Sequence, residues 1–194
     1  MESSAVAETA AGRRRRLLEI LKEKAVTFGD FTLASGRKSS YYIDARLVTL
    51  HPEGAYLIAR AILDWLTEEG IPVEAVGGLT LGADPIAGAV AAVSHLTGSQ
   101  VSAFIVRKEA KGHGTQRRVE GPLRKGQRVV IVDDVVTTAG STLQAIQAVE
   151  QMGCVVAAAV CVIDREEGGA AALAGYRFHP LFTVSELLAG RRSG

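Results

Sequence analysis

Short apolar runs alternate with amphipathic stretches along this chain, and that pattern assigns most of its elements. Residues 13–25 carry Leu17, Leu18, Ile20 and Leu21 at helical spacing, so a helix is expected there behind a frayed tail over residues 1–12. Residues 28–46 are rich in Gly, Ser, Thr and aromatic side chains and read as extended strands around a turn at Ser35-Gly36-Arg37. Pro52 stands where helices begin, and Ala55, Leu57, Ile58, Ala61, Ile62, Trp65 and Leu66 then form one apolar face up to Gly70. Further on, strands are expected at about 75–77, 101–106, 128–132, 154–163 and 176–183, with helices near 84–95, 141–152 and 166–173. Strands alternating with helices imply an α/β fold: a central, mostly parallel sheet flanked by helices.

Composition narrows this picture. At 194 residues and 47% hydrophobic content the chain is expected to form a single domain, 1–194, with a core of its own. A net charge of +1 gives no global field for nucleic acid or membrane, so neither is expected as a partner. The longest apolar run, 154–163, is ten residues, against roughly 20 for a bilayer span, and a soluble chain is expected. Residues 1–8 lack the basic start and apolar block of a secretory signal, and their acids argue against a transit peptide, which points to the cytoplasm. Cys154 and Cys161 have no Cys-x-x-Cys spacing and no nearby His, so they read as buried, reduced thiols. Four arginines, Arg13 to Arg16, open the first helix with Glu19 and Glu23 to pair with, a solvated face more than a nucleic-acid arm.

Candidate chemistry concentrates in RVVIVDDVVTTAGS, residues 128–141. A β-branched strand is expected to halt at Asp133 and Asp134, and charge at a strand's carboxyl end marks a ligand crevice in open α/β sheets. From Thr137 to Ser141 the chain offers hydroxyls and backbone N–H groups at the start of a helix, where a phosphate meets unpaired donors and the positive dipole end. The two acids repel phosphate and should take neutral hydroxyls or a hard cation. Ribose hydroxyls beside a 5′-phosphate satisfy both halves.

Three more clusters follow strands. GGLTLGAD, residues 77–84, lets backbone amides approach an anion such as pyrophosphate, although glycines at strand-to-helix turns are ordinary. Residues 107–121 hold five Lys/Arg, two Glu and three Gly, which suits either a lid closing over a polyanion or a solvated basic loop. In DREEGG, residues 164–169, Arg165 can grip a planar carboxylate with two parallel bonds, or else pair with Asp164 or Glu166 in its own turn.

The 128–141 run resembles the 5-phospho-α-D-ribosyl 1-diphosphate (PRPP) motif of type I phosphoribosyltransferases. With FTLASGR (31–37), GGLTLGAD, RKEAKGHG (107–114) and DREEGG, the order and spacing resemble the orotate phosphoribosyltransferase family over about residues 15–190. The resemblance implies a type I phosphoribosyltransferase fold with a small N-terminal hood over about 13–50 and a PRPP-binding core over about 71–165. It implies a pentosyltransferase that moves the phosphoribosyl group of PRPP to N1 of orotate, with Mg²⁺ as cofactor held mainly by PRPP and water rather than by protein side chains. PRPP would meet Arg107, Lys108, Lys111, His113, Asp133, Asp134, Val135, Val136, Thr137, Thr138, Ala139, Gly140 and Ser141; Lys111, His113, Asp133 and Asp134 would be catalytic. Orotate would meet Thr137 and Arg165, with the 42–43 backbone lining its pocket. A homodimer is implied, in which loop 107–121 completes the neighbouring subunit's site. One departure stands out: many family members place a ligand-contacting lysine where this chain has Ala34.

Overall fold

The computed structural model describes residues 9–32, 36, 38–109 and 118–190. The first helix, α1 (Ala10–Ile20), starts earlier than its apolar pattern suggests, because Thr9 caps it by accepting from the Gly12 N–H at 3.0 Å. Residues 10–12 are therefore helix, and the expected tail ends sooner. A π-helical turn, Leu21–Ala25, leads into β1 (Val26–Thr32), which pairs antiparallel with β2 (Lys38–Ile43) as a separate two-stranded hood. A short helix, α2 (Arg46–Thr49), unmarked by the sequence pattern, then precedes α3 (Pro52–Glu68). The two pack so closely that a Cβ on Gly54 would lie 2.3 Å from the Val48 carbonyl oxygen.

The main sheet comprises β3 (Ala75–Leu79), β4 (Ser102–Val106), β5 (Val119–Glu120), β6 (Arg128–Val136), β7 (Val155–Asp164) and β8 (Phe178–Thr183). Their order is β5-β4-β3-β6-β7-β8, parallel throughout except for β5 at one edge. Between and after them come α4 (Ala83–Thr97), α5 (Gly140–Gln151), α6 (Gly169–Ala172) and α7 (Val184–Leu188). Alternation along β6 divides the core: Val130 and Val132 pack with α1, α3 and α4, while Val129 and Ile131 pack with α5. Both faces are covered, which is why this strand is apolar from Val129 to Val132, between an exposed Arg128 and its acids.

Two boundaries depart from expectation. β6 does not halt at its acids, since its ladder with β7 continues through Asp133↔Cys161 to Val136↔Asp164. The expected helix over 166–173 shrinks to α6, because Gly168 adopts φ +98° and the turn before it stays irregular. The arginine cluster also pairs differently: Arg13 binds Asp64 at 2.6 Å, Arg14 binds Glu186 at 2.7 Å and Arg16 binds Glu53 at 2.7 Å. These partners come from α3 and α7, and Glu19 lies farther from Arg16, at 3.6 Å. No helix among the described residues is long and apolar enough to cross a membrane.

Candidate active site

From β3 the chain crosses to β4 on one side, and from β6 to β7 and β8 on the other. β3 and β6 thus flank the point where strand order reverses, and the crevice beyond their carboxyl ends is where such sheets bind ligands. A cavity of about 520 Å³ opens there, lined by Arg46, Leu79, Thr80, Leu81, Gly82, Lys108, Asp133, Asp134, Val135 and Ser141. Beside it a second cavity of about 350 Å³ is lined by Asp133, residues 135–141 and Gln144. Asp133, Val135 and Ser141 border both.

The strand's pleat sends its two acids to opposite faces. Asp133, buried, turns toward α5 and accepts from the Thr142 hydroxyl at 3.0 Å. Burial pushes its carboxyl up to about 7, the Asp134 charge adds to the rise, and the Thr142 hydrogen bond opposes it. Asp134 turns toward the loop after β3, where a Cβ on Gly82 would sit 2.5 Å from its Oδ1. Gly82 is therefore the loop glycine that allows close approach. Gly77 and Gly78 serve another purpose: they lie inside β3, where a Cβ would fall 2.2 Å from the Phe104 oxygen and 2.1 Å from the Val132 oxygen. The expectation that they belong to an anion loop is corrected, because neighbouring strands leave them no room for side chains.

Ahead of α5, Ala139 takes φ +64° and no side chain caps the helix. Its first N–H groups have no intrahelical acceptors, and the smaller cavity lies against them. Such a helix start can receive an anion, with the positive end of the helix dipole behind it.

Arg165 is tied to the same centre. Its N–H donates to the Val136 oxygen at 2.9 Å, and Gly169 packs against residues 136 and 137 where a Cβ would be 2.3 Å from Val136 Cγ1. The guanidinium lies 5.8 Å from the centre of the Tyr41 ring, so the hood reaches it. Neither Asp164 nor Glu166 is its ion partner; Glu167 is, at 3.0 Å. Asp164 accepts from the Glu166 N–H, and Glu166 reaches Ser185 through both its N–H and its hydroxyl. Arg165 Nε is buried with no hydrogen-bond partner, an arrangement that favours an incoming anion.

Arg107 and Lys108 root the basic segment: the Arg107 N–H donates to the Arg118 oxygen at 2.7 Å, and Lys108 borders the larger cavity. Arg107 also lies 3.9 Å from Glu120 on β5. Lys111, His113 and Ala34 lie outside the described residues. The sequence reading assigned no chemistry to Arg46 or Tyr41. The Asp44-Ala45-Arg46 spacing could have drawn attention to Arg46, but only the formation of α2 places it at the cavity.

Residues 49–180 match the family model for the phosphoribosyl transferase domain. Orotate phosphoribosyltransferase of Thermosynechococcus vestitus is 48% identical over 183 residues, covering 93% of this chain and 95% of that protein. Among solved structures, the Mycobacterium tuberculosis orotate phosphoribosyltransferase in complex with Fe(III) dicitrate superposes with a TM-score of 0.80 at 40% identity, covering 90% of this chain and 98% of that one. The structure of that protein in complex with PRPP gives a TM-score of 0.77 at 36% identity, again over 90% and 98%. The sheet order, the helices on both faces and the acids at the end of β6 are thus those of a type I phosphoribosyltransferase fold, and the chain belongs to the orotate phosphoribosyltransferase family.

Proposed function

We propose that this chain transfers the 5-phosphoribosyl group of PRPP to N1 of orotate, giving orotidine 5′-monophosphate and pyrophosphate in de novo pyrimidine synthesis. The observation that carries the reading is the junction of β6 and β7, where an uncapped helix start, a pair of acids and an arginine with an unpartnered buried Nε share one strand end. The phosphate of PRPP sits in the cradle of residues 137–141, and Asp133 and Asp134 take ribose hydroxyls. Arg165 holds the orotate carboxylate beside Thr137.

As the bond from C1′ to the diphosphate breaks and the bond to N1 forms, C1′ becomes cation-like. Catalysis then needs firm placement of the ribose and neutralisation of the departing charge more than it needs a nucleophile. Arg107, Lys108, Lys111 and His113 supply that charge, the last two from segment 107–121 of a second copy in a homodimer. Exposed Leu47 on α2, Leu50 just after it and Tyr56 on α3 support such pairing, since they present apolar surface with no cover in the single chain.

Magnesium fits this centre as a companion of the substrate. Among the described residues no three His, Cys, Asp or Glu cluster as a metal cage, whereas Asp133 and Asp134 offer hard oxygens beside a diphosphate-sized cavity. When bound there, Mg²⁺ neutralises diphosphate charge. Two free, buried cysteines suit a reducing cytoplasm.

The test is loss of orotate ultraviolet absorbance with purified protein, PRPP and Mg²⁺, with uracil, adenine and hypoxanthine as alternative acceptors. Turnover of orotate alone is expected. Reaction with another base and not orotate would overturn the role of Arg165, and no turnover with any base would overturn the reaction.

A further inference from the structure

Diphosphate departure calls for fixed cations around the larger cavity, and the structure supplies one that the sequence motifs do not mark. Arg46 opens α2 and borders that cavity together with Lys108, Asp133, Asp134, Ser141 and the loop 79–82. Its Nε donates to Asp44 Oδ1 at 2.8 Å, its Nη2 donates to Asp44 Oδ2 at 2.9 Å, and its backbone N–H donates to Asp44 Oδ1 at 3.1 Å. The guanidinium is thereby held flat and in one orientation by its own turn. A guanidinium has five N–H donors, of which two face Asp44, so three remain for another oxyanion. With the Arg46 side chain 56% exposed, the ion pair gains little for the fold, and its fixed geometry is better explained by what it faces. Asp44 first, and Asp134 to a lesser degree, raise the affinity of Arg46 for its proton, so the charge persists beside the acids.

We propose that Arg46 is a diphosphate-binding residue, which engages the leaving group of the phosphoribosyl donor together with Lys108 and is oriented by Asp44. This rests on the PRPP reading of the cavity. The same contact holds inorganic pyrophosphate as product, so Arg46 discriminates between ligands that carry a diphosphate and those that carry only the 5-phosphate.

The full chain and its Arg46→Gln, Arg46→Lys and Asp44→Asn variants are titrated calorimetrically with inorganic pyrophosphate and, separately, with ribose 5-phosphate, and KM is measured for PRPP and orotate. Arg46→Gln is expected to weaken pyrophosphate binding and raise the PRPP KM by about tenfold or more. Ribose 5-phosphate affinity and the orotate KM should stay within about twofold. Arg46→Lys should recover part of the loss, and Asp44→Asn should cost less than Arg46→Gln. Unchanged pyrophosphate binding, an equal loss of ribose 5-phosphate, or an Asp44→Asn effect as large as that of Arg46→Gln would each overturn the proposal. Failure of the unmodified protein to bind PRPP would overturn the wider reading, whereas normal turnover with Arg46→Gln unaffected overturns this inference alone.

Discussion

Two cavities in this molecule are both lined by charge, and they differ in what that charge is already doing. One, of about 320 Å³, lies between α1, α3 and β8 and is bordered by Arg13, Arg14, Asp64, Trp65, His179, Phe182 and Glu186. There Arg13 binds Asp64, Arg14 binds Glu186 and lies 4.5 Å over the Phe182 ring, and Trp65 stacks on His179 at 4.3 Å. At the β3–β6 switch point the position is reversed: α5 has no capping side chain, and burial pushes the Asp133 carboxyl up to about 7. Arginine density therefore does not mark a site. Unmet hydrogen-bonding capacity at a strand end does, because a ligand satisfies it and gains binding energy from doing so.

The comparison can be broken most strongly at Gly82. Gly82→Ala keeps an ordinary backbone conformation but drives a Cβ into Asp134, and the displaced acid should lower kcat/KM by about a hundredfold in the orotate assay while the fold survives. Next, Arg165→Ala should raise the orotate KM by about 2 kcal/mol, roughly thirtyfold, and leave the PRPP KM alone. If both constants rise together, Arg165 is not a dedicated carboxylate contact.

A pH slope comes third. Asp133 holds its proton up to about pH 7 in the folded chain, against an ordinary value of 3.8, so the native state carries a proton that the unfolded chain has lost between those values. Ligand-free stability should therefore fall as pH rises through that window and level off above it. Asp133→Asn should flatten the slope, a difference of about 2–4 °C in melting temperature for each kcal/mol, read by calorimetry at pH 5 and pH 8. The smallest effect belongs to the other cavity. Arg13→Met leaves Asp64 paired with Arg60 at 2.8 Å, so it should cost less than about 1 kcal/mol of stability and change neither KM.

The elements of the α/β core were legible because their apolar runs are long and punctuated: α3 begins at Pro52 as the pattern requires, and β7 is uniformly apolar up to its final acid. Short elements escaped. α2 and α7 are each about one turn and owe their existence to tertiary contacts, the latter also to a capping box between Thr183 and Glu186. At the site, the acids at a strand end and the helix start beyond them were legible in the order of residue types, whereas the residues around Arg165 allowed either a carboxylate contact or an ion pair within its own turn, and only the family resemblance favoured the former. Which carboxylate would neutralise Arg165 could not be read at all, since Asp164, Glu166 and Glu167 are chemically equivalent in a list and separate only when Glu166 turns to Ser185 and Glu167 to the guanidinium.

By itself, the sequence determined the α/β class, the strand that carries the acids and the small-residue turn that leads into the next helix, because periodicity and side-chain chemistry are local properties of the chain. Only the tertiary structure decided that Gly77 and Gly78 pack strands while Gly82 makes room for Asp134. It alone brought Arg46 to the cavity. It also bound three of the four clustered arginines to distant acids. Distances between residues remote in the chain are set by how helices and strands pack, and no local pattern encodes which side chain finds which partner.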